Sequence, residues 1–173
     1  MQKQNILLVD GYNIIGAWAE LRHLQKGQLE DARNLLIERM AEYQAYTGWR
    51  VIVVFDAYLM RGVESKMKQH KVEVIFTREN ETADECIERL VTELLQRSVQ
   101  IHVATSDYTE QWVIFAQGAL RKSARELENE MTRILKSISG NVRSYEQRKP
   151  TSKIPLKPEV EEIFEKWRRG AKF

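Results

Sequence analysis

The stretch Ile6-Leu-Leu-Val-Asp-Gly-Tyr-Asn13 drives four successive apolar residues straight into a carboxylate and a glycine. A run this short with no polar alternation describes a strand covered on both faces, as in a parallel sheet. It recurs as Val51-Ile-Val-Val-Phe55, Val72-Glu-Val-Ile-Phe76 and Ile101-His-Val-Ala104. Helical patterns separate these runs. Leu29 to Thr47 carries Ala32, Leu35, Leu36, Met40 and Tyr43 at helical spacing, with Gly48 placed to end it. Parallel strands need crossover connections, so the alternation predicts an α/β fold, a three-layer parallel sheet with helices on both faces.

Capping chemistry sharpens the later part. Thr82-Ala-Asp-Glu85 and Ser123-Ala-Arg-Glu126 both read as capping boxes, in which the hydroxyl accepts from a backbone N–H and the glutamate reaches back. The first opens a helix with the stripe Cys86, Ile87, Leu90, Val91, Leu94 and Leu95; the second opens one that Ser139-Gly140 is expected to close. Tyr108 to Gln117 reads as a short helix stopped by Gly118. From Asn141 to Pro158 three prolines and many basic residues predict a linker, and Val160, Ile163, Phe164 and Trp167 are spaced for a last helix docked on the body. The expected division is residues 1–140 for the main domain and 141–173 for a basic linker and C-terminal helix.

Composition narrows the class. At 173 residues and 43% hydrophobic, the chain can bury a core without staples. Its single cysteine, Cys86, forms no internal disulfide and builds no zinc finger, which points to a reducing compartment. No apolar run approaches the roughly 20 residues of a membrane span, and the N-terminus lacks a signal pattern, so a cytoplasmic protein is expected. Charge is uneven: residues 1–117 hold 13 Lys+Arg against 17 Asp+Glu, and residues 118–173 hold 14 against 8. An acidic body with a basic C-terminal part suits a polyanion partner, although a solvated helical face followed by a basic tail accounts for it equally.

Ligands of open α/β sheets gather beyond the carboxyl ends of the strands. Asp10 ends the first strand, Asp56 the second, Asp107 follows the fourth, and Asp84 lies in the first turn of the helix after the third. Asp56, on a lateral strand, ranks below the others. Two carboxylates ~5 Å apart repel by roughly 3 kcal/mol at an effective dielectric of ~20, so such a group calls for protonation or a cation. Oxygen ligands without clustered His or Cys favour Mg²⁺ or Mn²⁺ over zinc. Each acid also has a plain structural use: Asp10 in an Asp-Gly turn, Asp84 at a helix dipole, Asp107 and Asp56 as caps. Glu79 and Glu81 lie near Asp84 and either reach an ion through water or stand as solvated loop acids. Neither a P-loop nor a strand-following GxGxxG is present. An aspartyl-phosphate phosphatase is disfavoured too, since Tyr12 stands where its second acid belongs.

Val9-Asp-Gly-Tyr-Asn13, Val54-Phe-Asp56, Asn80-Glu-Thr-Ala-Asp84 and Thr105-Ser-Asp107, in this order, resemble the YacP-like branch of the NYN domains, within the PIN-like nuclease superfamily. Gly118-Ala-Leu-Arg-Lys-Ser-Ala-Arg-Glu126 and Phe164-Glu-Lys-Trp-Arg-Arg-Gly170 extend the resemblance over nearly the whole chain. It implies a metal-dependent endoribonuclease with products bearing a 5′ phosphate and a 3′ hydroxyl, and an association with the ribosome and messenger RNA decay. It also implies a site of Asp10, Asp84 and Asp107 supported by Asn13 and Ser106, with Asp56 at a family position of less certain role; Asp56 and, from its place near Asp84, Glu81 are the additional metal candidates. Arg121, Lys122 and Arg125, with Lys166, Arg168 and Arg169 around Trp167, are the expected contacts to RNA or ribosome. The competing reading is a non-catalytic RNA- or ribosome-binding module of the same fold.

Overall fold

The computed structural model describes residues 2–24, 27–57, 65–107, 117–148 and 158. Six strands form one sheet: β1 (Gln4–Asp10), β2 (Arg50–Phe55), β3 (Ser65–Gln69), β4 (Val72–Phe76), β5 (Val99–Ala104) and β6 (Leu120–Lys122). Their order is β3-β4-β2-β1-β5-β6. β4, β2, β1, β5 and β6 run parallel, as the apolar runs predict, while β3 pairs antiparallel with β4. From β1 the chain builds outward to β2 and β4 and then crosses to β5 on the other side. The switch in direction therefore falls between β1 and β5, the place where open α/β sheets take their ligands, beyond the strand ends.

Side chains alternate across the sheet, so each face has its own core. On one face Leu7, Val9, Val51, Val53 and Phe55 pack against α1 (Gly11–Ala17), α2 (Ala19–Arg22), α3 (Leu29–Thr47) and the first half of α5 (Ala124–Arg148). On the other, Ile6, Leu8, Ile52, Val54 and Ile75 meet Cys86, Ile87, Leu90 and Val91 of α4 (Ala83–Leu94). Fully burying an aliphatic side chain of this kind contributes ~1.5–3 kcal/mol. Cys86 is thus a core residue, as its place in the stripe of α4 implies. The indole of Trp18 donates to the Ala124 carbonyl at 2.9 Å and ties α5 to this layer.

Helix ends follow the sequence. The Thr82–Glu85 capping box is complete, with bonds of 3.2 and 3.0 Å, and Ser123–Glu126 forms the same pair at 3.1 and 2.7 Å. Gly48 closes α3 at φ 73°. The expected stop at Ser139-Gly140 does not occur: α5 continues to Arg148, so residues 141–148 are helix and not linker. A glycine inside a helix costs only ~1 kcal/mol, and Ile138, Val142 and Tyr145 keep the helical spacing beyond it. Contacts divide the chain into Met1–Lys136 and Ser137–Phe173. The helices expected at 108–117 and from Pro158 onward lie almost wholly outside the described residues. Among the described residues no helix is long and apolar enough to cross a membrane.

Candidate metal and RNA site

Asp10 is the last residue of β1 and only 8% exposed. It is also the N-cap of α1, its Oδ1 accepting from the Asn13 N–H at a long 3.5 Å. The capping role open to it in the sequence is therefore real but weakly bonded. Gly11 lets α1 start so close to the sheet, because a Cβ there would stand 2.3 Å from Phe55 Cε1.

The carboxyl of Asp10 is pushed up from 3.8 to about 7. Burial is the largest cause, followed by repulsion from Asp84; the Asn13 N–H opposes these, and Asp107 and Asp56 add further repulsion. The structure thus brings the other three acids into electrostatic range of the buried Asp10 carboxyl. Asp84 enters from the first turn of α4, Asp107 from the segment after β5 and Asp56 from the residue after β2, all three half-buried.

Asn13 and Ser106 meet directly. The Ser106 N–H and Oγ both donate to Asn13 Oδ1 at 2.8 Å, stitching α1 to the segment that carries Asp107. Two residues not singled out in the sequence complete the frame. Thr105, fully buried, accepts the Asp107 N–H on Oγ1 at 3.1 Å, while its own N–H donates to the Lys122 carbonyl at 3.1 Å. Thr77, also fully buried, accepts the Ala57 N–H on Oγ1 at 2.9 Å and so fixes the turn at Asp56. Thr105 was legible only as part of its motif, and Thr77 had no signal, since a threonine at a strand end is ordinary.

Some expected ligands are committed elsewhere. Arg89 holds Glu81, with Nε 3.1 Å from Oε1 and Nη2 3.4 Å from Oε2, so an ion there would share this carboxylate with a guanidinium. Lys122, expected on the RNA surface, has partners within the fold: its Nζ lies 2.5 Å from Glu130 Oε1 and 5.2 Å from the centre of the Trp49 ring. Glu130 also accepts from the Tyr43 hydroxyl at 2.9 Å, so Lys122 completes a largely buried polar cluster. Arg121 and Arg125 are exposed, whereas Lys166, Arg168 and Arg169 lie outside the described residues. His102 stacks on Trp49 at 4.4 Å and approaches Asn5, with its pKa lowered by burial and then by Lys122; it is a packed, partnered histidine. A cavity of about 520 Å³ lined by Gln44, Trp49, Arg50 and Lys71 sits where the strands begin, away from the acids.

Among the described residues no three His, Cys, Asp or Glu side chains stand close enough to hold an ion by themselves. A hydrated Mg²⁺ needs no such cage, because it keeps several waters and takes one or two carboxylates plus substrate phosphates, and the oxygen donors of Asp10, Asp84 and Asp107 are of the kind it takes. The charge balance fits as well, since the acids around Asp10 repel it and a cation would relieve them.

A model of the YacP-like NYN domain matches residues 7–169. A Bacillus subtilis protein named "Uncharacterized protein YacP" is 61% identical over 166 residues, covering 96% of this chain and 98% of its own. Among solved structures, Rae1 (YacP) from Bacillus subtilis is 62% identical, with a TM-score of 0.75 and 95% of each chain covered. A tryptophan-to-leucine variant of the same protein matches at 58% identity and a TM-score of 0.75, over 85% of this chain and 86% of its own.

Proposed function

This chain belongs to the YacP-like NYN domain family, within the nuclease superfamily, and from that membership and the acidic rim we propose that it is a metal-dependent endoribonuclease acting on messenger RNA at the ribosome. The observation that carries the reading is the buried Asp10, which ends β1 at the switch point and is repelled by Asp84, Asp107 and Asp56.

Asp10, Asp84 and Asp107 are the residues that would hold Mg²⁺ or Mn²⁺. When bound, such an ion makes a coordinated water more acidic and stabilises the departing oxygen of a phosphodiester. The chain's own part is to keep the acids in place. The low-dielectric setting of Asp10 strengthens its pull on any cation and, when none is there, holds a proton on it up to about pH 7. Asn13 and Ser106 hold the Asp107 segment against α1, so that acids from β1 and β5 face one strand of RNA together. The basic residues of 118–173, among them Arg121, Arg125, Arg168 and Arg169, would attract the phosphates that the acidic rim repels.

The test is cleavage of a messenger RNA in Mg²⁺, with and without translating ribosomes and with EDTA controls, by wild type and Asp10→Asn. The substitution keeps the shape and the cap but removes the charge. Cutting should fall by at least about a hundredfold while RNA binding survives. Equal cutting by both proteins would refute the site; no cutting by wild type in any condition would favour the binding module.

A further inference from the structure

Four described arginines are half-buried, namely Arg33, Arg39, Arg50 and Arg89. Three of them hold carboxylates: Arg39 bridges Glu20 and Glu42, Arg50 bridges Glu73, and Arg89 bridges Glu81 and Glu93. Arg33 differs. Among the described residues its hydrogen bond is to a neutral group, from Nη1 to the Tyr12 hydroxyl at 3.2 Å. A guanidinium offers five donors in a planar fork and stays charged, so this arrangement leaves both charge and donors for another anion.

Its position gives that anion a place. α3 follows β1 and leads into β2, so its first turns return to the edge where the parallel strands end. Tyr12 lies two residues after Asp10, and its ring packs on Phe55 at 5.1 Å, directly before Asp56. The element order and the Tyr12 bond therefore place Arg33 at the edge that carries the acidic rim, and among the described residues it bridges none of those acids. A cation held off the carboxylates by a phenol is suited to an anion that approaches from outside.

We propose that Arg33, positioned by Tyr12, binds a backbone phosphate of the RNA strand adjacent to the phosphodiester presented to Asp10, Asp84 and Asp107. The assignment of that neighbouring bond rests on the nuclease reading, whereas the phosphate contact itself does not.

The contact is tested by fluorescence anisotropy of a short fluorescein-labelled oligouridylate, titrated in EDTA over a salt series so that no cleavage is needed. The proteins are wild type, Arg33→Ala, Arg33→Lys, Tyr12→Phe and, as a charge-matched control, Arg97→Ala in the exposed turn at the opposite edge. Arg33→Ala should weaken binding about tenfold, as for loss of a charge-assisted hydrogen bond, and lower the salt slope by ~0.7, as for one single-strand phosphate. Arg33→Lys should keep the slope and recover part of the affinity, because lysine carries the charge without the fork. Tyr12→Phe keeps the ring on Phe55 and should keep the slope while losing affinity about threefold, as for a neutral hydrogen bond. A merely structural Arg33 would lower the melting temperature and leave slope and affinity where Arg97→Ala leaves them, which overturns the proposal. Should Arg33→Ala fail to fold, wild-type affinity in Arg33→Lys and Tyr12→Phe overturns it instead. Wild type that shows the Arg33-dependent slope yet never cuts RNA in Mg²⁺ sinks the nuclease reading and supports the contact.

Discussion

Removing the charge of Asp10 should make the metal-free protein more stable, and only at high pH. The native carboxyl titrates near 7 against 3.8 for the ordinary group, so between those values the folded state holds the proton more tightly than the unfolded state. The contribution of this group to stability is therefore full below about pH 4, is lost as the pH rises, and levels off above about 7. At ~1.36 kcal/mol per unit the whole loss is roughly 4 kcal/mol, and with Asp10 only 8% exposed solvent screens little of it. Asp10→Asn avoids that penalty and can still accept from the Asn13 N–H. Its buried amide costs ~1–2 kcal/mol. The net gain at pH 8 is then roughly 2–3 kcal/mol, a rise in Tm of about 5–10 °C for a chain of this size. Thermal melts by circular dichroism in EDTA at a series of pH values measure it. At pH 4 the variant should be no more stable than wild type. A variant less stable than wild type at pH 8, or a gap that does not change with pH, would show that the ionised Asp10 is not strained by burial and repulsion.

Mg²⁺ at about ten times its dissociation constant should add ~1.4 kcal/mol to wild type, a melting shift of roughly 3–6 °C at pH 8. The shift should shrink as the pH falls below about 7, where the ion must displace the proton of Asp10, and vanish in Asp10→Asn and Asp84→Asn; equal shifts in all three proteins would count against a shared site. Gly11→Ala puts a methyl 2.3 Å from the Phe55 ring, so urea unfolding should show a loss of ~1–3 kcal/mol, and unchanged stability would mean that the ring yields freely. Replacing Arg168 and Arg169 together by Ala should lower the salt slope of RNA binding by up to ~1.4, at ~0.7 per phosphate, and an unchanged slope would show that neither touches phosphate.

The central strands were legible because burial on both faces leaves no room for polar alternation: β1, β2, β4 and β5 are the four apolar runs. The edges were not. β3 reads Ser-Lys-Met-Lys-Gln, and a strand paired on one side has no need of an apolar run. Its turn adds no clue, since His70 and Lys71 adopt φ values of 51° and 69° where glycine or asparagine would have announced a hairpin. β6 is only three residues long, with Leu120 and Arg121 exposed. Gly140 misled in the opposite sense, because a glycine ends a helix only if the following residues abandon the helical spacing, and Val142 and Tyr145 keep it.

At the site, the sequence showed which side chains the fold could gather and was silent on which ones other groups had already claimed. Asp10 and Asp107 follow from topology, since each lies at or just past a strand end on either side of the switch point, and Asp84 follows from the capping box that sets the first turn of α4. Glu81 and Lys122 are of the right charge and near the right motifs, yet Arg89 takes one and Glu130 takes the other. Arg33 is the converse case: inside the pattern of α3 it looks like any surface arginine, and only its bond to Tyr12 distinguishes it from Arg39 one helix face away. Motifs record what a carboxylate or a guanidinium can do; the partner each one meets decides whether that capacity is spent on the fold or left for a ligand. In this chain the repelled Asp10 and the phenol-held Arg33 keep theirs, and they have opposite charge on one rim, as a strand of phosphates delivered to a cation requires.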